Sequence, residues 1–168
     1  VIPYLQKNSK IILDAKSGIS GAGKSSVVNG LEEDIKENFK SYNVGFHRHQ
    51  PEIKDFLKIE FDLDHEIIFI PHLLPLFRGE YVTLYCEVTQ NDLNLNELYE
   101  SYYEKHKLVR IKEKGEIAEI KDVINTIYCD ISVSYAFQSN TIVVNSAIDN
   151  LLKGAASQAI QCLDIMSS

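Results

Sequence analysis

Residues 10–26 read Lys10-Ile-Ile-Leu-Asp-Ala-Lys-Ser-Gly-Ile-Ser-Gly-Ala-Gly-Lys-Ser-Ser26, and the fold turns on how this stretch is understood. The apolar run Ile11, Ile12, Leu13 breaks into three glycines and three serines within the nine residues from Gly18 to Ser26. A strand gives way in this manner to a loop whose backbone approaches something closely, because glycine tolerates positive φ and carries no side chain. Gly18 to Ser25 also satisfies the pattern G-x-x-x-x-G-K-[ST] of phosphate-binding loops, which predicts a nucleotide-dependent kinase. Three features oppose that reading. Asp14, Lys16 and Ser17 separate the apolar run from the first glycine. Ser25-Ser26-Val27-Val28-Asn29-Gly30 is β-branched and glycine-broken where a helix should start. No later strand ends in an aspartate placed to hold Mg²⁺.

The 168 residues, 45% apolar and 24% charged, suit one globular domain with a core of its own. A net charge of -7 and a pI of about 5.2 argue against nucleic acid or an anionic membrane as partner. No run approaches the ~18 apolar residues of a membrane-spanning helix. Cys86, Cys129 and Cys162 are an odd number, widely spaced and set among apolar neighbours, which predicts reduced thiols in a cytoplasmic protein. Val1-Ile-Pro-Tyr-Leu5 reads as the end of a helix that begins upstream, so the chain reads as a piece of a longer protein.

Outward from the glycine stretch, residues 10–16 predict a buried strand. Residues 31–42, with Glu32, Glu33 and Asp34 early and Lys40 late, have the charge order of a helix. Pro51 suits the first position of another helix, with Ile53, Phe56, Leu57 and Ile59 as its apolar face. Residues 67–70 form a strand stopped by Pro71, and 81–88 an alternating one. Leu95, Leu98, Tyr102 and Tyr103 space a helix over 93–105. Strands follow near 109–112, 127–136 and 140–144, and a last helix covers 151–166. Without strict strand–helix alternation, this order predicts an α+β domain with a mixed, largely antiparallel sheet and helices packed on it.

Four blocks in order carry a resemblance that spans nearly the whole chain. They are Asp14-Ala-Lys-Ser-Gly-Ile-Ser-Gly-Ala-Gly-Lys24, Gly45-Phe-His-Arg-His-Gln-Pro-Glu-Ile53, Pro71-His-Leu-Leu-Pro-Leu-Phe-Arg-Gly79, and Ala147-Ile-Asp-Asn-Leu-Leu-Lys-Gly-Ala-Ala-Ser-Gln-Ala-Ile-Gln161. They resemble the N-acetyl-γ-glutamyl-phosphate reductases, arginine-biosynthesis relatives of aspartate-semialdehyde dehydrogenase. The resemblance implies the catalytic and dimerisation domain, residues 1–168, with the fold of the glyceraldehyde-3-phosphate dehydrogenase C-terminal domain. It implies NADP(H) as cofactor, N-acetyl-γ-glutamyl phosphate as substrate, and a homodimer or homotetramer. The NADP-binding N-terminal domain and the nucleophilic cysteine would lie upstream, so this piece alone is expected to be inactive. An aspartate-semialdehyde dehydrogenase, a kinase and a dimerisation module without catalysis are the competing readings.

By the same resemblance His47 is the catalytic histidine, with His49 and Glu52 beside it. On an extended segment the two imidazoles, two residues apart, would face one side. A neutral imidazole near pH 7 suits proton transfer and thiol activation. A metal pair or two solvated loop histidines are the alternatives, and two ligands are fewer than zinc requires. Ser20, Gly21, Ala22 and Gly23 resemble the loop at the nicotinamide end of the cofactor. Asp149-Asn150 reads first as a helix cap, and the resemblance adds Asn150 beside the nicotinamide carboxamide. Arg48 and Arg78 match a substrate phosphate or carboxylate, whose geometry a guanidinium fork fits; ordinary ion pairs are the alternative. His72, flanked by Pro71 and Leu73-Leu74-Pro75, reads as structural.

Overall fold

The computed structural model describes residues 2–22, 33 and 35–167. Seven strands form one sheet: β1 (Lys10–Ser17), β2 (Lys40–Ser41), β3 (Glu66–Leu73), β4 (Glu80–Glu87), β5 (Val109–Ile111), β6 (Cys129–Tyr135) and β7 (Thr141–Ile148). Their spatial order is β2-β3-β1-β4-β7-β6-β5. β1 runs parallel to β3 and β5 parallel to β6, while the other four pairings are antiparallel. Among the described residues the complete α-helices are α1 (His49–Phe61), α2 (Leu95–Tyr103) and α3 (Ser157–Ser167). The expected α+β domain with a mixed, largely antiparallel sheet is therefore what forms.

Alternation along the strands divides the sheet into two faces. Ile11, Ile67, Cys86, Ile131, Ile142 and Val144 turn to one side and are buried, with Ile53 and Leu57 of α1 and Leu95, Tyr99 and Tyr103 of α2 packed on them. Registered across the other side is the row Ile70, Asp14, Thr83, Asn145 and Ser132. Beside it lies the row Ile68, Ile12, Tyr85 and Val143. Among the described residues the segment 118–123 covers only one end of this second face, through Ala118, Val123, Ala147 and Tyr81.

Several boundaries differ from the sequence expectation, each for a local reason. β1 continues through Asp14, Lys16 and Ser17 to the first glycine, because Asp14 and Lys16 lie on the second face, where Lys16 Nζ pairs with Asp14 at 2.7 Å. The objection that polar residues end this strand too early therefore fails. The helix expected over 31–42 does not reach its predicted end: Lys40 and Ser41 pair with Leu73 and His72 as β2. β3 runs through Pro71 to Leu73. The Pro71 carbonyl accepts the Tyr42 N–H at 3.0 Å. The proline nitrogen thus faces the same edge, where β2 is two residues long and a missing N–H costs little. α1 begins at His49 rather than Pro51, which falls in its first turn. The last helix opens with a π turn, Leu152–Ala156, before α3.

Candidate active site

A cleft of about 370 Å³ opens where the ends of β1, β3, β4 and β7 meet the turn before α1. One wall comes from that turn. The chain leaves β2 through Tyr42, reverses at Asn43 (φ 47°) and Gly45 (φ 80°), and closes with the Phe46 N–H donating to the Asn43 carbonyl at 3.0 Å. His47 and His49 follow, and both line the cleft with Arg48. The segment is not extended, as Arg48 has helical dihedrals, φ -56° and ψ -28°. The two imidazoles nevertheless meet, 4.7 Å apart and edge to face, because Phe69 of β3 lies against both, at 5.1 and 5.9 Å.

The His49 backbone N–H donates to His47 Nδ1 at 3.3 Å. Neutral His47 therefore carries its proton on Nε2, leaving that edge as a donor. Partial burial holds its pKa below 6.5, and the neighbouring His49 and Arg48 push it the same way against a weaker pull from Glu52. Tyr42 stands edge-on to His47 at 5.5 Å, and burial with the nearby Glu80 charge raises its phenol.

The opposite wall is the 3₁₀ turn Ile19–Ala22 after β1. Gly18 N–H donates to the Gly79 carbonyl at 2.7 Å, Ile19 N–H to Leu76 at 2.8 Å and Ser20 N–H to Phe77 at 3.0 Å. A Cβ at Gly18 would lie 2.8 Å from the Phe77 carbonyl oxygen and 2.9 Å from that of Leu76, so only glycine permits this approach. Three amides that a phosphate-binding loop would offer to its ligand are thus spent inside the protein. Lys24 and Ser25 of that pattern lie outside the described residues.

A buried knot secures the third wall. Asp149, fully buried, accepts from the N–H groups of Leu151 (2.9 Å), Leu152 (3.0 Å) and Asn125 (2.9 Å) and from Arg78 Nη1 (3.1 Å). Burial alone would raise its carboxyl; these four donors more than offset that and hold it below 3.8. Asn150 Oδ1 accepts the Gly79 N–H at 2.8 Å and its Nδ2 donates to Ser20 Oγ at 2.9 Å, tying the 3₁₀ turn to the start of β4.

Ser20, Gly21, His47, Arg48, His49 and Asn150 are thus brought to one cleft. Glu52 is exposed on the first turn of α1 and reaches His47 only through its charge. Arg78 is taken up by Asp149 and does not line the cleft. Ala22 ends the 3₁₀ turn, and Gly23 lies outside the described residues. His72 Nδ1 lies 3.1 Å from Asp14 and its ring stacks on Phe39, a structural setting. Among the lining residues not singled out from the sequence are Tyr42, Phe69 and Glu80. Glu80 begins β4, where a glutamate after glycine reads as solvated; burial instead raises its carboxyl. Burial also pushes the Cys86 thiol up to about 11 and raises that of Cys129, which leaves neither as a nucleophile at neutral pH. Among the described residues no three His, Cys, Asp or Glu side chains are grouped to hold a metal, and no helix is long and apolar enough to cross a membrane.

The semialdehyde dehydrogenase dimerisation-domain model matches residues 2–150. The N-acetyl-gamma-glutamyl-phosphate reductase of Thermoanaerobacter sp. (strain X514) is 40% identical over 160 residues, covering 94% of this chain and 46% of that protein. The reductase of the same name from Geobacillus sp. (strain WCH70) is 41% identical over 165 residues, covering 96% and 48%. The chain spans about half the length of these curated relatives. Aspartate semialdehyde dehydrogenase II from Vibrio cholerae superposes with a TM-score of 0.72 at 15% identity, over 94% of this chain and 54% of that one. A probable aspartate-semialdehyde dehydrogenase from Pseudomonas aeruginosa gives 0.76 at 14% identity, over 99% and 57%. At these identities the two structures speak for the fold, and the family match carries the assignment: the chain belongs to the semialdehyde dehydrogenase dimerisation-domain family.

Proposed function

We propose that residues 1–168 are the catalytic and dimerisation domain of a reductase that converts N-acetyl-γ-glutamyl phosphate to N-acetylglutamate semialdehyde and phosphate in the cytoplasm, as a step of arginine biosynthesis. The relatives' shared name and the paired imidazoles of the cleft support this reading. A further half, with the nucleophilic cysteine and an NADP-binding domain, would complete the enzyme. The exposed Ile160, Leu163 and Met166 of α3, spaced three residues apart, offer an apolar stripe for that half to cover. The sheet face that the described residues leave largely uncovered, with Ile12, Ile68, Ile70, Tyr85 and Val143, would meet a second copy in a homodimer.

NADPH, when bound, supplies the hydride. The cleft fits its flat nicotinamide, because Ser20, Gly21, Gly154 and Ala155 leave one wall without bulky side chains. Asn150, with one N–H still free, would orient the carboxamide. His47, neutral near pH 7, presents its Nε2 proton as a hydrogen bond to the oxygen that gains charge when the acyl carbon is attacked. His49 holds His47 in this tautomer through its backbone N–H, and the Glu52 charge offsets part of the lowering that burial, His49 and Arg48 impose on its pKa. Arg48 would bind the substrate's phosphate or carboxylate, while Arg78 acts one step removed by fixing Asp149.

The test is the reverse reaction in the full-length protein that contains this chain. Phosphate-dependent NADPH formation from NADP⁺ and N-acetylglutamate semialdehyde is expected, falling by roughly 10²-fold or more in His47→Ala. Absence of NADPH formation with this aldehyde, or activity only with aspartate semialdehyde, overturns the reading.

A further inference from the structure

Four cleft residues can carry positive charge: His47, Arg48, His49 and His72. One lining residue is acidic, Glu80. Its place is set by the sheet, since it is the first residue of β4 and pairs with Ser17 of β1 and Ile148 of β7. Among the described residues its carboxylate has no hydrogen bond and no ion pair. Burial raises its pKa, and the His49 charge opposes this only in part. A carboxylate half-withdrawn from water that gains no donor from the described residues can take one from a bound ligand. No side chain of the cleft does so, and the cleft is open to a ligand.

We propose that Glu80 is a specificity-determining residue that accepts a hydrogen bond from an amide N–H of the substrate, the acylamino group beside its anionic end. The inference rests on the reductase reading above and adds which end of the substrate lies where. Arg48 takes the anionic group at the mouth, where it is exposed. Glu80, at the start of β4, would repel that anion and accept only a donor. An acylated nitrogen offers one N–H and no charge, so a single acceptor satisfies it.

The experiment compares kcat/KM for N-acetylglutamate semialdehyde with that for glutarate semialdehyde, the same chain lacking the acetamido group, in the full-length protein. Wild type is expected to prefer the acetamido aldehyde, and Glu80→Leu to lose about 10- to 100-fold of that preference, the range of one hydrogen bond to a charged acceptor. Glu80→Gln keeps a neutral acceptor of the same shape and is expected to lose less, mainly through KM, which covers the case in which Glu80→Leu does not fold. An unaltered preference in both variants, with wild type active, overturns the role of Glu80 alone. A wild type inactive on the acetamido aldehyde overturns the reductase reading and this inference together.

Discussion

Arg78 reaches Asp149 across 71 residues of sequence, Nη1 to Oδ2 at 3.1 Å, and the pair locks the entry to β4 against the exit from β7. Between them stands Asn150, which holds Gly79 and Ser20. The cleft wall is therefore only as firm as this knot. Its two charged members are not equal. Arg78 keeps a third of its side chain in water, whereas Asp149 has no exposure at all.

Removing either partner should accordingly give different losses of stability. Asp149→Ala leaves the part-buried N–H groups of Asn125, Leu151 and Leu152 without their acceptor and removes a helix cap, a cost of about 2–3 kcal/mol. Arg78→Ala leaves the carboxylate three backbone donors, and about 1–2 kcal/mol is expected. Urea unfolding of both variants gives the order; equal losses would contradict it. The pH dependence has a definite sign. Asp149 has its folded pKa below 3.8, so its contribution is complete above that value and is lost as pH falls through the folded pKa. Melting temperatures followed below about pH 4 should show an acid loss that is smaller in Asp149→Asn.

Gly18, at the cleft wall, is constrained by backbone, and the distant Gly115 is not. Gly18→Ala meets the carbonyl oxygens of Phe77 and Leu76, atoms that cannot rotate away. Gly115 has positive φ (93°), as Gly18 does not, yet nothing lies within 4 Å of its would-be Cβ. Gly115→Ala is expected to cost about 1 kcal/mol of dihedral strain. Gly18→Ala should cost more, about 2–3 kcal/mol, through overpacking that displaces the 3₁₀ turn. Thermal unfolding of the two variants checks the contrast.

Much of this architecture was legible wherever one physical signal acted alone. The alternation of Tyr81 to Val88 and the helical spacing from Leu95 to Tyr103 mark β4 and α2 because one face of each packs on the core, although Tyr102, counted in that spacing, is exposed. Boundaries failed where a neighbour overrode the local pattern. Lys40 and Ser41 leave the helix charge pattern to supply an edge strand to β3, and Pro71 stays in a strand because its edge is open. At the site, His47 and His49 do come together, but for a different reason from the one the sequence suggests. Extended geometry does not bring them together; a tight turn and the ring of Phe69 do. Glu80 escaped notice because its burial comes from strands far away in sequence, a fact no local pattern encodes.

The last prediction concerns the charge of His47. Burial, then the positive charge of His49 and of Arg48, lowers its pKa below 6.5, and Glu52 opposes them. Across the interval between that lowered value and 6.5, the unfolded chain binds more protons than the folded one, so stability rises with pH there. Below the folded value the deficit is complete and constant. Arg48→Gln and His49→Gln each remove one positive neighbour and should raise the His47 midpoint toward 6.5. Glu52→Gln removes the stabilising charge and should lower it further. Histidine NMR titration of the full-length protein reads all three directly. A midpoint above 6.5 in wild type, or one that moves the same way in Arg48→Gln and Glu52→Gln, would show that electrostatics do not set the proton on His47. The neutral donor at Nε2 would then lose its physical basis.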